Sequence, residues 1–388
     1  MRLFLLELKR VFKSIIFWGT TFALIIAITT QIHHESYMFQ EPIADQQSYG
    51  HYISDDPDYI FHNLIKDLSY SLEVNSFNTY PYGFYREKNL ELDEINAIKD
   101  IISDLLSIPY EEIDFLRPLS TPDQEKLEYQ LNKINAIIGG GSFYAKDKYK
   151  FFFGKRELTY ERAMQDYQLM GEEGYDVAFA RYFNDYAGIF TLLLSWFIGL
   201  YFWNKDRKEG IRDTLYVKEA SSLNILMSRV LAMSFSLTFI LLSLFTYYEM
   251  QILRLHDLSV LHPLKAYFLV FIWIFPLFLF TISLSSFINV ATSGILLGFL
   301  GPIFSLLYMM TSSENIYYHI GYGLLIRYNS IGNPTYFTNM FRVFLSGRIM
   351  WIFIGLGVTM ITGILYEKRR RGYFAFKNKY SIKSRNKI

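Results

Sequence analysis

The chain has 388 residues, of which 51% are hydrophobic and 18% aromatic, with a mean hydropathy of +0.15 and a formal net charge of +1. This composition is too apolar for an ordinary soluble protein and too polar for one that lies wholly within a membrane, so it predicts a mixture. Because the chain has no cysteine, disulfides, thiolate metal sites, cysteine nucleophiles and lipoprotein anchors are excluded.

Residues 1–13 mix leucines with arginines and lysines, a pattern that is typical of an amphipathic helix lying in the membrane interface. An apolar run follows at residues 14–31 and is long enough to cross about 30 Å of hydrocarbon. This run is also too long for the core of a signal peptide, and no small-residue cleavage site follows it. We therefore expect a cytoplasmic interfacial helix and then a first transmembrane helix.

Residues 32–185 form a polar segment of domain size, and residues 31–185 carry 28 acidic against 14 basic side chains. Periodicity and turn residues predict its elements: helices at 58–72 and 92–106, a helix after a capping box at Thr121 with Pro122 at its first position and Gly139 at its end, a strand at 148–154, and a helix at 157–185 that continues into the next span. We expect an extracellular domain that is mostly helical, with a small sheet.

Residues 186–366 predict a transmembrane block, with a cytoplasmic connector at 204–229 and a basic tail at 367–388. Its five apolar runs lie at 187–203, 230–248, 266–290, 292–311 and 349–366. The runs contain no ionisable side chain before their flanks, although proton- or ion-driven carriers and charged pores need such groups. The sequence therefore argues against those two classes. The polar loop at 312–348 predicts a partly re-entrant hairpin on the outer side.

Lysine and arginine concentrate before the first run, between the second and third runs, and after the last. Six crossings place all three stretches on one side, and such residues favour the cytoplasmic flanks of spans. The predicted fold is therefore mainly α: a polytopic plasma-membrane protein with six transmembrane helices, both termini cytoplasmic, and an extracellular domain between helices 1 and 2. Abundant Lys, Ile, Asn and Tyr favour a Gram-positive bacterial source.

Motifs that carry catalytic chemistry are missing from the sequence. The chain has no G-x-x-x-x-G-K-[ST] phosphate loop and no H-E-x-x-H, and among its seven histidines only His33 and His34 are adjacent. Carboxylate pairs such as Asp55-Asp56 fit a solvated surface. We therefore expect a chain that is not itself an enzyme, binds no metal or cofactor of its own, and has no nucleic-acid partner.

The connector carries the most specific pattern in the chain. It reads Asp206-Arg207-Lys208-Glu209-Gly210-Ile211-Arg212-Asp213-Thr214-Leu215, then Ala220-Ser221-Ser222, and ends at Arg229. Together with the order of the parts, this resembles the type-2 permease family of ATP-binding-cassette (ABC) exporters. In that family the connector is a coupling helix that docks on a separate ATPase subunit, which binds ATP and Mg. The alternative is an ordinary positive-inside loop.

The resemblance assigns roles to individual residues. It implies ATPase coupling by Asp206, Arg207, Glu209, Gly210, Arg212 and Leu215. It also implies a second permease half and a pathway lined by aromatic and small polar residues of the spans. The candidates for this pathway are Phe17, Trp18, Thr21, Phe190, Trp196, Phe299 and Phe304, with Thr20, Tyr201 and Tyr308; the alternative for each is a packing or lipid-facing role.

An uncharged, aromatic passage suits hydrophobic or amphipathic cargo, such as an antimicrobial peptide or bacteriocin, a drug or a lipid. The expected function is therefore the membrane subunit of an ABC exporter, embedded in the lipid bilayer and driven by a separate ATPase. Two alternatives stay open. One is a sodium- or other ion-extruding permease of the same superfamily, and the other is a sensor or assembly protein whose outer domain binds a ligand.

Overall fold

A computed structural model gives the fold, and it describes residues 2–34, 39–81, 85–208, 221–256, 264–292, 300–311, 320–328 and 334–371. In chain order its helices are α1 (Arg2–Phe12), α2 (Ile15–His34), α3 (Pro57–Val74), α4 (Leu92–Leu106), α5 (Gln124–Ile138), α6 (Tyr149–Phe153), α7 (Tyr160–Glu173), α8 (Tyr175–Lys208), α9 (Ser222–Leu255), α10 (Leu264–Thr292), α11 (Leu300–Thr311) and α12 (Pro334–Arg370). The chain divides into an acidic unit, residues 41–165, and a bundle unit made by the remaining described residues.

The acidic unit combines helices α3 to α6 with two short sheets. Strand β1 (His51–Ile53) pairs antiparallel with β4 (Lys155–Glu157), and β2 (Phe77–Thr79) pairs antiparallel with β3 (Arg86–Lys88). The helices bury one apolar face each, because their apolar residues recur every three or four positions. The resulting core includes Leu64, Ile65, Leu68, Ile98, Ile102, Leu131 and Ile134.

Two predicted helices of the acidic unit are confirmed. Helix α4 covers the predicted range 92–106, and α3 extends the range 58–72 by one residue at its start and two at its end. Glu91 and Glu94 form a reciprocal capping box at the start of α4, and the Asp56 carboxylate caps α3. These caps satisfy backbone N–H groups that have no partner inside the helix.

Helix α5 begins later than predicted. The carboxylate of Asp123, rather than Thr121, accepts hydrogen bonds from the N–H groups of the first turn, so the helix starts at Gln124. Thr121 donates its N–H to Oδ1 of Asp58 at 2.7 Å instead, which keeps it outside the helix. Gly139 ends α5 as predicted, with a φ of 106° that favours glycine.

The strand predicted at 148–154 is wrong, because Tyr149–Phe153 form the short helix α6. Aromatic residues favour a strand, but this preference is weak and packing in the core can override it. Tyr149 and Phe153 are both buried, and the Phe153 ring stacks on Tyr144 with centroids 5.4 Å apart. Packing in the core of the acidic unit therefore outweighs local β-propensity.

The bundle unit contains five helices that are long and apolar enough to cross a membrane: α2, α8, α9, α10 and α12. The chain is thus mainly helical, with the architecture of a polytopic membrane protein. Helix α1 precedes them as a separate amphipathic helix, as predicted. The span predicted at 292–311 is represented by α11, which has 12 residues. Residues 293–299 lie outside the described chain.

Small and polar side chains line the contact of α10 with α8 and α12. The hydroxyl groups of Ser195 and Thr281 are 2.6 Å apart, and those of Ser283 and Thr359 are 2.8 Å apart. Interfaces of this kind are typical of membrane helices, because small residues permit close approach and hydroxyl pairs avoid unsatisfied polar groups. The three helices therefore form the packed centre of the bundle unit.

Two helices are longer than their apolar runs predict. Helix α8 begins at Tyr175, so the predicted helix at 157–185 is in fact divided between α7 and α8, and Gly174 separates them with a φ of 105°. Helix α12 begins at Pro334, a residue that suits the first helical position. Residues 334–348 are therefore helical, which corrects the predicted loop at 312–348.

Candidate functional site

Arg229 joins three helices at the basic end of the bundle unit. Helix α1, the last two turns of α8, the first three turns of α9 and the last turn of α12 meet there. Its side chain is 1% exposed, and its Nη2 donates to Oε1 of Glu7 at 3.1 Å. Its guanidinium also lies 4.7 Å from the centre of the Trp203 ring, within the range of a cation–π interaction. Because Glu7 is on α1 and Trp203 on α8, one buried cation connects both helices to α9.

Further hydrogen bonds extend this junction to α10 and α12. The Ser222 hydroxyl donates to Oε2 of Glu367, which joins α9 to α12. Nε1 of Trp203 donates to the Ser286 hydroxyl at 2.7 Å, which joins α8 to α10. Arg369 donates to the backbone oxygen of Ala291 at 2.8 Å, which joins α12 to α10. The basic end is therefore one hydrogen-bonded assembly.

The predicted coupling segment adjoins this junction on both sides. The backbone of Asp206 and Arg207 lies in the last turn of α8, and α9 begins at Ser222 with the Ser221 hydroxyl as its cap. Four of the predicted coupling residues lie outside the described residues: Glu209, Gly210, Arg212 and Leu215. The structure thus shows the two flanks of the segment, which Arg229 brings into contact.

Asp185 is the centre of a second cluster at the opposite end of the bundle unit. Its buried carboxylate accepts hydrogen bonds from Nε and Nη2 of Arg327 at 2.9 and 3.0 Å, and from the N–H of Tyr328 at 2.7 Å. A bidentate, charge-assisted pair of this kind fixes geometry as well as adding energy. It anchors the 320–328 segment, which is irregular, to α8.

Arg348 of α12 holds the same segment from another side. Its fully buried side chain donates from Nη1 to the backbone oxygen of Leu324 at 2.9 Å, and from Nη2 to the backbone oxygen of Gly323. An irregular segment has no helix or sheet to satisfy its carbonyl groups, so these bonds replace regular backbone pairing. The 320–328 segment is therefore clamped between α8 and α12.

Arg181 adds a third buried guanidinium to this end. It forms an ion pair with Glu173 at 2.6 Å, in which both side chains are buried. It also lies 5.4 Å from the centre of the Tyr328 ring and 5.5 Å from that of Phe337. The charge of each arginine at this end is thus matched by carboxylates, carbonyl groups or aromatic faces.

Two further carboxyl groups are buried among these pairs. Glu249 of α9 is 1% exposed, and neither of its carboxyl oxygens has a hydrogen-bond partner in the described part of the chain. Asp176 of α8 is also buried. Within the described ranges, no three or more His, Asp or Glu side chains gather as ligands of a metal ion would.

His256 directly follows the last residue of α9. Its ring stacks on Tyr175 with centroids 3.6 Å apart, and its Nε2 lies 3.0 Å from the backbone oxygen of Phe39. Its Nδ1 lies 3.4 Å from the hydroxyl of Tyr167. Burial lowers the pKa of His256, and the contact with Phe39 opposes that shift. The middle of α7, the start of α8 and the end of α9 therefore meet at the His256 ring.

The buried charges were not predicted from the sequence. Asp185, Glu249 and Arg348 each lie within two residues of an apolar run, just outside its limits. An ionisable residue at the very edge of such a run is the signal that could have located them. Since the helices carry these groups inside the bundle unit, the argument against ion transport from uncharged runs no longer holds.

The bundle unit thus has two clusters of buried charged residues, the Arg229 junction at the basic end and the Asp185 cluster at the opposite end. No family model, curated protein or solved structure matches this chain. The two features are therefore interpreted through the chemistry of their own residues.

The pathway candidates of α2 pack close to the basic end. Phe17 and Thr21 are buried, while Trp18 is half-exposed and donates from Nε1 to the backbone oxygen of Phe12 at 2.8 Å. The rings of Phe17 and Phe12 are in edge contact at 5.5 Å. Phe17 and Trp18 therefore contact the end of α1, and their role in a cargo pathway stays a prediction.

The other candidates lie on α8 and α11. Trp196 is buried and donates from Nε1 to the Ser305 hydroxyl at 2.8 Å, whereas Phe304 is 64% exposed. Phe190 is partly buried against the core, and Phe299 lies outside the described residues. The described contacts therefore divide the candidates into two sets, one on α2 and one on α8 and α11.

Gly301→Ala is expected to destabilise the protein by about 1–3 kcal/mol, a usual cost of overpacking. A Cβ at this position would lie 2.4 Å from Cε3 of Trp196, and the hydrogen bond to Ser305 keeps that ring in place. Gly357→Ala is the matched control, because a Cβ there meets nothing within 4 Å. Thermal unfolding of the purified protein should show a lower Tm for the first variant only; equal Tm values would contradict the packing of α11 on α8.

Proposed function

We propose that this chain is the membrane-spanning permease subunit of an ABC exporter, which moves a hydrophobic or amphipathic cargo outward with ATP hydrolysed by a separate subunit. The observation that carries the proposal is the Arg229 junction. It binds α1, α8 and α9 together at the two flanks of the charged connector at 204–229. A force applied to that connector would act on three helices at once.

The lengths of α8 and α9 support transmission over the whole bundle unit. Each has 34 residues, which corresponds to about 50 Å at the rise of an α-helix. Both helices run from the Arg229 junction to the end that carries Asp185 and Glu249. A displacement at the connector would therefore reach the clamped 320–328 segment without passing through a flexible loop.

The proposed orientation follows from charge. The basic end carries Lys and Arg from α1, α8 and α12, and such residues favour the cytoplasmic side. Both termini and the connector are then cytoplasmic, and the acidic unit is extracellular in a plasma membrane of a Gram-positive type. A second permease half, identical or not, would complete the pathway. Antimicrobial peptides or bacteriocins, drugs and lipids are the cargo classes proposed.

Co-purification from the native membrane tests this proposal. The tagged full-length chain is expected to retain an ATPase subunit and to show ATP hydrolysis, and Glu209→Ala with Arg212→Ala is expected to abolish both. The matched control is Arg254→Ala, which changes an exposed basic residue of α9 away from the connector. A stable chain with no ATPase partner would refute the proposal, and it would favour a sensor role for the acidic unit.

A cation-extruding permease is the second candidate, and the burial of Asp176, Asp185 and Glu249 at one end of the bundle unit favours it. Buried ionisable groups inside membrane proteins commonly mark ion pathways. ATP-dependent uptake of Na⁺ into inside-out vesicles that contain the complex would support this candidate. Uptake of a fluorescent lipid or peptide with no Na⁺ movement would support the first candidate instead.

A further inference from the structure

Glu249 differs from the neighbouring charged residues in its hydrogen bonding. Glu173 pairs with Arg181, Asp185 pairs with Arg327, and Arg348 donates to backbone carbonyl groups. Glu249 is as deeply buried as these residues, yet neither of its carboxyl oxygens accepts a hydrogen bond from the described chain. A buried polar group with no partner costs free energy, so its retention calls for an explanation.

A second buried carboxyl group, Asp176, lies on the part of α8 that packs near Glu249. The Phe179 ring packs against Phe245 and Tyr248 of α9, with centroids 5.8 and 6.2 Å apart. Asp176 lies about one helical turn before Phe179, and Glu249 directly follows Tyr248. This ring contact brings together the parts of α8 and α9 that carry Asp176 and Glu249. A second nearby carboxylate adds to the cost of ionising Glu249.

We propose that Glu249, with Asp176 beside it, binds a single alkali-metal cation, Na⁺ or K⁺. A cation would give the unsatisfied carboxyl oxygens a partner and would offset the repulsion between the two acids. A divalent ion fits less well, because the described residues offer no group of three or more acidic or His ligands. The site does not depend on the proposed ATPase partner and is testable without it.

The test is thermal unfolding of the purified full-length protein in choline chloride, with NaCl or KCl added at constant ionic strength. A ligand that binds the folded state alone raises Tm as its concentration exceeds the Kd. We expect a saturable rise of at least about 3 °C with one of the two cations. Binding of ²²Na⁺ to the same protein, with competition by K⁺, distinguishes the two ions directly.

Glu249→Gln is expected to abolish the cation response and to raise Tm in choline chloride, since it removes the buried negative charge. A purely structural role for Glu249 would lower Tm under both conditions. Glu172→Gln is the matched control, because it changes an exposed acidic residue near the start of α8 and is expected to keep the response. Should Glu249→Gln fail to fold, Asp176→Asn replaces it, with at least tenfold weaker ²²Na⁺ binding expected.

Three results would overturn the cation site. The first is equal Tm values in choline, NaCl and KCl together with no ²²Na⁺ binding. The second is a cation response that Glu249→Gln or Asp176→Asn leaves unchanged. The third is stabilisation by acid alone, which would mean that a proton satisfies the site. None of these results depends on whether an ATPase co-purifies, so failure here and failure of the proposed function are distinguishable.

Discussion

Glu7→Gln is expected to lower the free energy of unfolding by about 3 kcal/mol, which is the lower range for breaking a buried ion pair. The substitution removes a carboxylate that forms an ion pair with Arg229, whose side chain is 1% exposed. Loss of the pair should also detach α1 from the start of α9. We therefore expect faster proteolysis within residues 2–12 and weaker coupling to any ATPase.

Unfolding in mixed detergent micelles, with Glu172→Gln as an exposed control, measures this effect. The double variant Glu7→Gln with Arg229→Met is expected to be more stable than the sum of the single effects, because both charges are then removed together. Strict additivity of the two single variants would show that the pair contributes no interaction energy. An unchanged proteolysis pattern would show that α1 is held by other contacts.

Asp185→Ala is expected to cost about 3–5 kcal/mol and to release the 320–328 segment. The carboxylate satisfies two nitrogens of Arg327 and the N–H of Tyr328, and it is fully buried. Its removal leaves a partly buried cation and a buried backbone donor without this acceptor. Both penalties apply to the folded state, since water satisfies these groups in the unfolded chain.

Hydrogen exchange followed by mass spectrometry tests this release locally. Peptides that cover 320–328 should lose protection in Asp185→Ala, whereas Asp55→Ala, at an exposed position of the acidic unit, should leave them unchanged. Adding Arg327→Met to Asp185→Ala is expected to recover part of the lost stability, but not the protection of Tyr328. Undiminished protection in Asp185→Ala would show that the clamp of Arg348 suffices.

The membrane helices could be predicted from the sequence because hydropathy averages over a whole turn or more. The same averaging explains why the ends of α8 and α12 were misplaced. Asp185 and Arg348 interrupt the apolar pattern, but their partners neutralise them inside the bundle unit. Asp185 and Arg327 are 142 residues apart in the chain, so no local pattern can reveal that they are paired.

In the acidic unit too, elements that depend on local sequence were predicted correctly, whereas one that depends on packing was not. Helix α4 was predicted within its observed limits because its apolar spacing is a local pattern. Helix α6 was mistaken for a strand because contacts with Tyr144 decide its conformation. For the candidate site, the connector was found through a resemblance, whereas Glu249 could be recognised only after its burial and missing partners were known.

The pairing of Glu7 with Arg229 has a consequence for biosynthesis, because the two residues are 222 positions apart. At about 5–20 residues per second, the ribosome adds Arg229 roughly 10–45 s after Glu7. During that interval α1 has no binding site on α9. Because α1 is amphipathic, it can remain at the lipid headgroups with the Glu7 carboxylate hydrated. Membrane insertion of α9 would then recruit α1 from the surface, so the first helix to be made takes its final place only after α2 to α9 have been made.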